Sequence, residues 1–129
     1  MSLIFSIVES PSHPDFSPLY RELGLEEIRS TSMRKAIAAL KSHQPDWVVA
    51  EFFYGYGNNY AGVNVSNLDV FLASARKYAP QSRIIVMVDK AEAVHVDKLA
   101  ALFPVHATLV HPVGREAMRR AIESLRADD

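Results

Sequence analysis

The stretch Pro45-Asp46-Trp47-Val48-Val49-Ala50-Glu51 ends a nearly continuous apolar run on a carboxylate. Open α/β sheets bind ligands outside the carboxyl ends of their strands, so an acid there is well placed for chemistry. The residues that follow, Tyr54-Gly55-Tyr56-Gly57-Asn58-Asn59-Tyr60-Ala61-Gly62, form a loop of adaptable, hydrogen-bonding composition. Its glycine spacing suits a loop that approaches phosphate, but no Lys-Ser/Thr pair follows to supply a phosphate-loop mechanism. The five histidines, His13, His43, His95, His106 and His111, show no metal-ligand spacing. His43 ends a helical pattern, where a cation is favourable, and His95 is expected on the surface of a helix. Cysteine is absent, which excludes disulfides, thiolate metal sites and cysteine nucleophiles.

The elements that must position Glu51 are legible as alternating apolar runs and helical periods. Strands are expected at Leu3–Val8, Leu25–Ser30, Trp47–Phe53, Arg83–Val88 and Ala107–Val110. The apolarity of the third predicts burial on both faces, as in a central parallel strand. Helices are expected up to Leu23, from Ser32 onward, after Ser66 or Asn67, over Ala91–Phe103 and over Arg115–Leu125. Ser17 suits the cap of the first and Gly24 its C-terminal stop. Ser32 suits the cap of the second, where Met33, Ala36, Ile37 and Leu40 share a face. In the third, Leu68, Phe71, Leu72 and Ala75 point inward. This alternation predicts one domain spanning 1–129, a doubly wound parallel sheet with right-handed crossovers.

Composition narrows the function classes. The 129 residues are 49% hydrophobic and 22% charged, with a net charge of −1, as expected of a globular domain with a sizeable core. No basic surface for nucleic acid is expected: Arg115, Arg119, Arg120 and Arg126 are diluted by Glu116, Glu123, Asp128 and Asp129. No run reaches the ~20 apolar residues of a membrane span, and no secretory pattern opens the chain. A cytoplasmic protein without membrane contact is the expectation.

Three segments in register carry a resemblance. The strand ending in Glu51 resembles the strand ending in the phosphoacceptor aspartate of response-regulator receiver domains (CheY-like). Leu109-Val110-His111-Pro112-Val113, followed by Arg115-Glu116-Ala117-Met118, resembles the family's fifth strand, whose Lys-Pro step leads into the last helix. Phe5-Ser6-Ile7-Val8-Glu9-Ser10 resembles the first strand, which ends in an acidic pair. The resemblance covers essentially the whole chain and implies a (βα)5 flavodoxin/receiver-like fold with strand order 2-1-3-4-5.

It also implies what the site has lost. In the family an aspartate takes a phosphoryl group beside a divalent cation, a Lys and a hydroxyl grip its oxygens, and an aromatic on the fifth strand follows. Carried onto this chain, Glu9 keeps one acid of the pair and Ser10 replaces the other. Glu51 stands at the acceptor, Val88 at the hydroxyl, His111 at the Lys and Thr108 at the switch aromatic. The loop after Glu51 is several residues longer than the family's short turn.

Glu51 is one methylene longer than Asp, which disfavours in-line attack because positioning dominates phosphoryl transfer. Two readings stand for it: a partly solvated acid satisfied by loop N–H groups, or a built-in imitation of the phosphorylated state, with His111 as a pairing partner. Mg²⁺ on Glu9 and Glu51 is conceivable but disfavoured, since one of three carboxylates is missing. No catalytic residue, metal or other cofactor is assigned.

The resemblance therefore implies a degenerate or pseudo-receiver in two-component-type signalling, not an enzyme, acting on protein partners, with a stand-alone module as one form. A protein interface is expected on the face of the fourth helix, fifth strand and fifth helix, with Val94, Lys98, Ala101, Arg115, Met118 and Arg119; a homodimer is its simplest form, and a monomer stays open. Two alternatives stay open. One is a phosphorelay receiver using another acceptor such as Asp46, Asp89 or His111. The other is a small-ligand binder using a Glu9/Glu51/His111 pocket with the tyrosine-rich loop as lid.

Overall fold

A computed structural model describes residues 2–55 and 65–127. Five strands, β1 (Ser2–Ile7), β2 (Leu25–Ser30), β3 (Trp47–Glu51), β4 (Arg83–Val88) and β5 (Ala107–Val110), form one parallel sheet ordered β2-β1-β3-β4-β5. Between them lie α1 (Ser17–Glu22), α2 (Met33–Leu40), α3 (Asp69–Tyr78), a 3₁₀ segment (Lys90–His95) running into α4 (Val96–Ala100), and α5 (Arg115–Ala127). This is the doubly wound order expected from the sequence.

Two apolar cores flank the sheet, and strand periodicity assigns residues to each. Phe5, Ile7, Val48, Ala50, Ile84, Val86 and Val88 join the side chains of α2, α3 and α4 on one face. Ile4, Trp47, Val49, Ile85 and Met87 join those of α1 and α5 on the other. Every residue of β3 is buried, so this strand has core on both sides and delivers Glu51 to the sheet's carboxyl edge from its centre.

Local signals explain most of the element ends. Ser32 Oγ accepts the Lys35 N–H, capping α2. Gly24, at φ +78°, ends the α1 turn where an L side chain would be strained. Two expected caps differ. The Ser17 hydroxyl bonds Glu27, while Asp15 accepts the Ser17 N–H at 3.0 Å. At α3 the Ser66 hydroxyl accepts the Leu68 N–H, and Asp69 turns back to accept the N–H groups of Val65 and Ser66. The fourth helical pattern begins as a 3₁₀ turn, and only Val96 and Leu99 of that region are buried.

Candidate functional site

Glu51 lies where the sequence places it, at the carboxyl end of β3, but it is not a partly solvated acid: 1% of its surface is exposed. The β1–α1 loop folds over it. Glu51 Oε2 accepts the Glu9 N–H at 2.7 Å, the Ser10 N–H at 3.2 Å and His13 Nδ1 at 3.1 Å. Oε1 accepts the Ser10 hydroxyl. A carboxylate oxygen offers two lone-pair directions, so the three donors on Oε2 crowd it, while Oε1 takes one donor from the same loop. Because an ionised carboxylate can only accept, the His13 nitrogen facing it carries the proton.

Burial opposes ionisation of Glu51, but the donors of His13, Ser10 and the Glu9 amide, with the His13 charge, outweigh it and hold the carboxyl below its usual range. His13 is itself buried, at 7% exposure, so the pair forms a closed internal contact. Local sequence makes this possible. Pro11 and Pro14 bracket the loop, and the His13 N–H bonds the Ser10 carbonyl, which turns the chain back over the strand end.

Glu9 faces differently. Its Oε1 accepts Asn67 Nδ2 at 2.7 Å, and the same amide group donates to the Glu51 carbonyl at 2.8 Å. Asn67 Oδ1 accepts the Phe53 N–H at 2.8 Å. Asn67 thus ties the ends of β1 and β3 to the entry of α3. Burial raises the Glu9 pKa, the Asn67 donor opposes this, and the Glu51 charge raises it further; the balance is upward. An acid whose folded pKa exceeds its unfolded one loses folding stability as pH rises from the unfolded value towards the folded one. Glu9→Gln, which keeps an acceptor for Asn67, is therefore expected to raise the melting temperature at neutral pH and to change nothing in acid. A lower melting temperature at pH 7 would contradict this account.

The other positions do not converge on Glu51. Val88 is fully buried in the α2–α4 core, and Thr108 is an exposed residue of β5. His111 bonds Val88 O through its main-chain N–H and has no side-chain contact with Glu51 among the described residues; its peptide bond to Pro112 is cis. The partner of Glu51 is His13 rather than His111, because the β1–α1 loop folds over the β3 end. A cavity of about 370 Å³ opens at the sheet's carboxyl edge, lined by Glu9, Phe53, Tyr54 and Gly55; neither Glu51 nor His111 is among its described lining residues. The loop expected to roof the pocket lies largely at 56–64, outside the described residues. No group of three or more potential metal ligands occurs among the described residues.

His95 is not a free surface residue. Its ring stacks on Tyr54, with centroids 3.7 Å apart and planes 11° from parallel. Tyr54 also takes Lys98 Nζ on its hydroxyl at 3.1 Å, and its N–H bonds Glu92 at 3.2 Å. The start of the β3–α3 connection is thereby clasped to the 3₁₀–α4 segment.

On the expected interface, Val94 is 70% exposed, and Lys98 and Ala101 are exposed. Met118 is a correction: it is fully buried against the sheet with Ile122 and presents nothing to a partner. Arg115 and Arg119 both grip Glu22 of α1, so these cations already serve an intramolecular contact.

His13, Asn67 and Tyr54 carry the site's geometry and were missed in the sequence. One signal was available for His13: a histidine four residues beyond a strand-end acid lies within reach of the neighbouring strand end in a parallel sheet. Asn67 and Tyr54 had no comparable signal, because their partners are 14 to 58 residues away.

No family model and no curated protein sequence matches the chain. Solved structures do. A response regulator receiver protein from Sinorhizobium medicae WSM419 superposes with a TM-score of 0.67 at 20% identity, covering 96% of this chain and 92% of that one. A receiver domain protein from Clostridium thermocellum gives 0.70 at 16%, covering 96% and 93%. The chain has the receiver fold. The same receiver fold aligns with a pilus assembly protein, CpaE, from Caulobacter crescentus CB15 at a TM-score of 0.63 and 17% identity, covering 95% of this chain and 98% of that one. At these identities the likeness establishes the receiver fold, and function has to be argued from the site.

Proposed function

We propose that this chain is a receiver-like signalling domain that takes no phosphoryl group at the strand-end acid and works through contacts with protein partners. The observation that carries the reading is the burial of Glu51 under donors from the β1–α1 loop. Its Oε2 holds three donors and its Oε1 the Ser10 hydroxyl, so nucleophilic attack would require breaking a buried, charge-assisted network. Phosphoryl transfer depends on an exposed, in-line oxygen and on groups that receive the transferred charge. The Val88 side chain offers no oxygen, and the His111 side chain makes no contact with Glu51 among the described residues.

The side chain of Glu51 turns towards the β1–α1 loop rather than towards β4 and β5. An imitation of the phosphorylated state would have to act on β4 and β5, so we favour a structural role: Glu51 fixes the β1–α1 loop. No helix among the described residues is long and apolar enough to cross a membrane. Protein contact through the exposed 3₁₀–α4 segment and β5 edge, including self-association, fits exposed Val94 and Val110.

The test is incubation with Mg²⁺ and acetyl phosphate followed by intact-mass measurement. The mass is expected to stay unchanged. A phosphoryl adduct at Glu51 overturns the reading; one at Asp46, Asp89 or His111 replaces it with phosphorelay through another acceptor.

A further inference from the structure

A shallow groove of about 690 Å³ runs between α2, α3 and the turn after α4. It is separate from the strand-end site and from the β5 edge. Ile37, Val70, Ala73 and Leu102 give it an apolar floor. Val70 is 56% exposed and Leu102 50%, two of the largest apolar exposures among the described residues. The two line one groove instead of standing singly on the surface, and it is contiguous apolar exposure that marks interaction surfaces.

The charges around that floor have one sign. Lys41, Arg76 and Lys77 line the groove and have no acidic partner among the described residues. The acid in the lining, Asp69, is 6% exposed and turned to the N–H groups of Val65 and Ser66. The Arg76 guanidinium lies 4.7 Å from the Phe103 ring centroid and donates to the Leu102 carbonyl, while Lys77 lies over Tyr78 at 5.2 Å. Aromatic contacts thus seat two cations at the rim without neutralising them. The chain as a whole has a net charge of −1, so this cationic rim is a local feature.

We propose that the groove docks an acidic amphipathic helix of a protein partner. Apolar side chains at i, i+4 and i+7 would cover Val70 and Leu102, and flanking acids would face Lys41, Arg76 and Lys77. A second copy of this chain fits less well: α2, α3 and α5 turn their main apolar faces onto the sheet.

The test uses two synthetic helical peptides with the same leucine spacing, one flanked by glutamates and one by lysines, titrated into the isotope-labelled protein. The glutamate peptide is expected to shift the amide signals of Ile37, Val70, Ala73 and Leu102 and to bind about tenfold tighter than the lysine peptide at low salt. The double variant Lys41→Glu, Lys77→Glu, at exposed positions, is expected to abolish the preference for the glutamate peptide, and Val70→Asp to remove binding. Equal affinities, signal shifts confined to another surface, or no binding by either peptide overturn the proposal. So does a concentration-dependent dimer in sedimentation that Val70→Asp abolishes, since that makes a second copy the occupant.

Discussion

Replacing Glu51 by Ala is expected to lower the free energy of unfolding by about 3 kcal/mol. The argument rests on what is left behind. The Glu9 and Ser10 N–H groups, the Ser10 hydroxyl and His13 Nδ1 all donate to this carboxylate. Removing the shared acceptor strands several donors, each costing roughly 1–3 kcal/mol where water cannot reach it, and relaxation of the loop recovers part of that cost. Against a typical total of about 5–15 kcal/mol, the loss should lower the urea midpoint by roughly 1–2 M. His13→Ala removes one donor and should cost less. The double variant should cost less than the sum, because the two residues share one network. A Glu51→Ala loss below about 1 kcal/mol would show that the loop is held by other contacts.

The same network sets a pH dependence. The folded pKa of Glu51 is depressed below the usual glutamate range by its hydrogen-bond donors and the His13 charge. Its stabilising contribution is therefore fully present above the unfolded pKa and is lost as pH falls through the lower folded value. Wild type and a Glu51→Gln variant should differ most near neutral pH and converge in acid. Glu9 runs the other way, since its folded pKa is raised, so the two acids are distinguishable in one set of melting curves.

Asn67→Ala is the second large effect, at about 2–3 kcal/mol. Asn67 is 9% exposed and makes three side-chain hydrogen bonds: to the Glu9 carboxylate, the Glu51 carbonyl and the Phe53 N–H. Two are to main chain at the end of β3, and one is charge-assisted, the stronger class. The structural consequence should extend past the site. Phe53 leads directly into Tyr54, whose ring stacks on His95 and whose hydroxyl meets Lys98. Hydrogen exchange should accelerate at Phe53 and Tyr54 in the variant and spread into Glu92–Lys98, while α1 and α5 on the other core remain protected. Acceleration confined to Phe53 would show that the Tyr54 clasp holds α4 independently of Asn67.

How much was legible in the sequence depends on the range of the interaction that decides each feature. Strand positions came from apolar runs that read locally, the parallel orientation follows from strands alternating with helices, and the strand order came with the receiver resemblance. Met118 was also legible: it stands four residues before Ile122 and seven before Leu125, a spacing that turns it inward. Reading it as an interface residue put a family likeness ahead of that period. The 3₁₀ start of the fourth helical segment was not legible, because the local pattern of Lys90–His95 does not separate a 3₁₀ turn from an α-helix and its contact with Tyr54 comes from a distant part of the chain.

The sequence by itself determined the sheet, its two cores and the arrival of a carboxylate at the carboxyl end of a central strand. The resemblance carried by its segments adds an expectation, that Val88 and His111 stand where a hydroxyl and a Lys would grip a phosphoryl group. Only the tertiary structure decided what Glu51 does. Its donors come from residues 38 to 42 positions earlier, brought over it by the pairing of β1 with β3. A lone acid on a strand can react, bind a cation or hold a loop. The choice is made by which donors fill its lone pairs, and these are set by a contact between segments that no local pattern encodes.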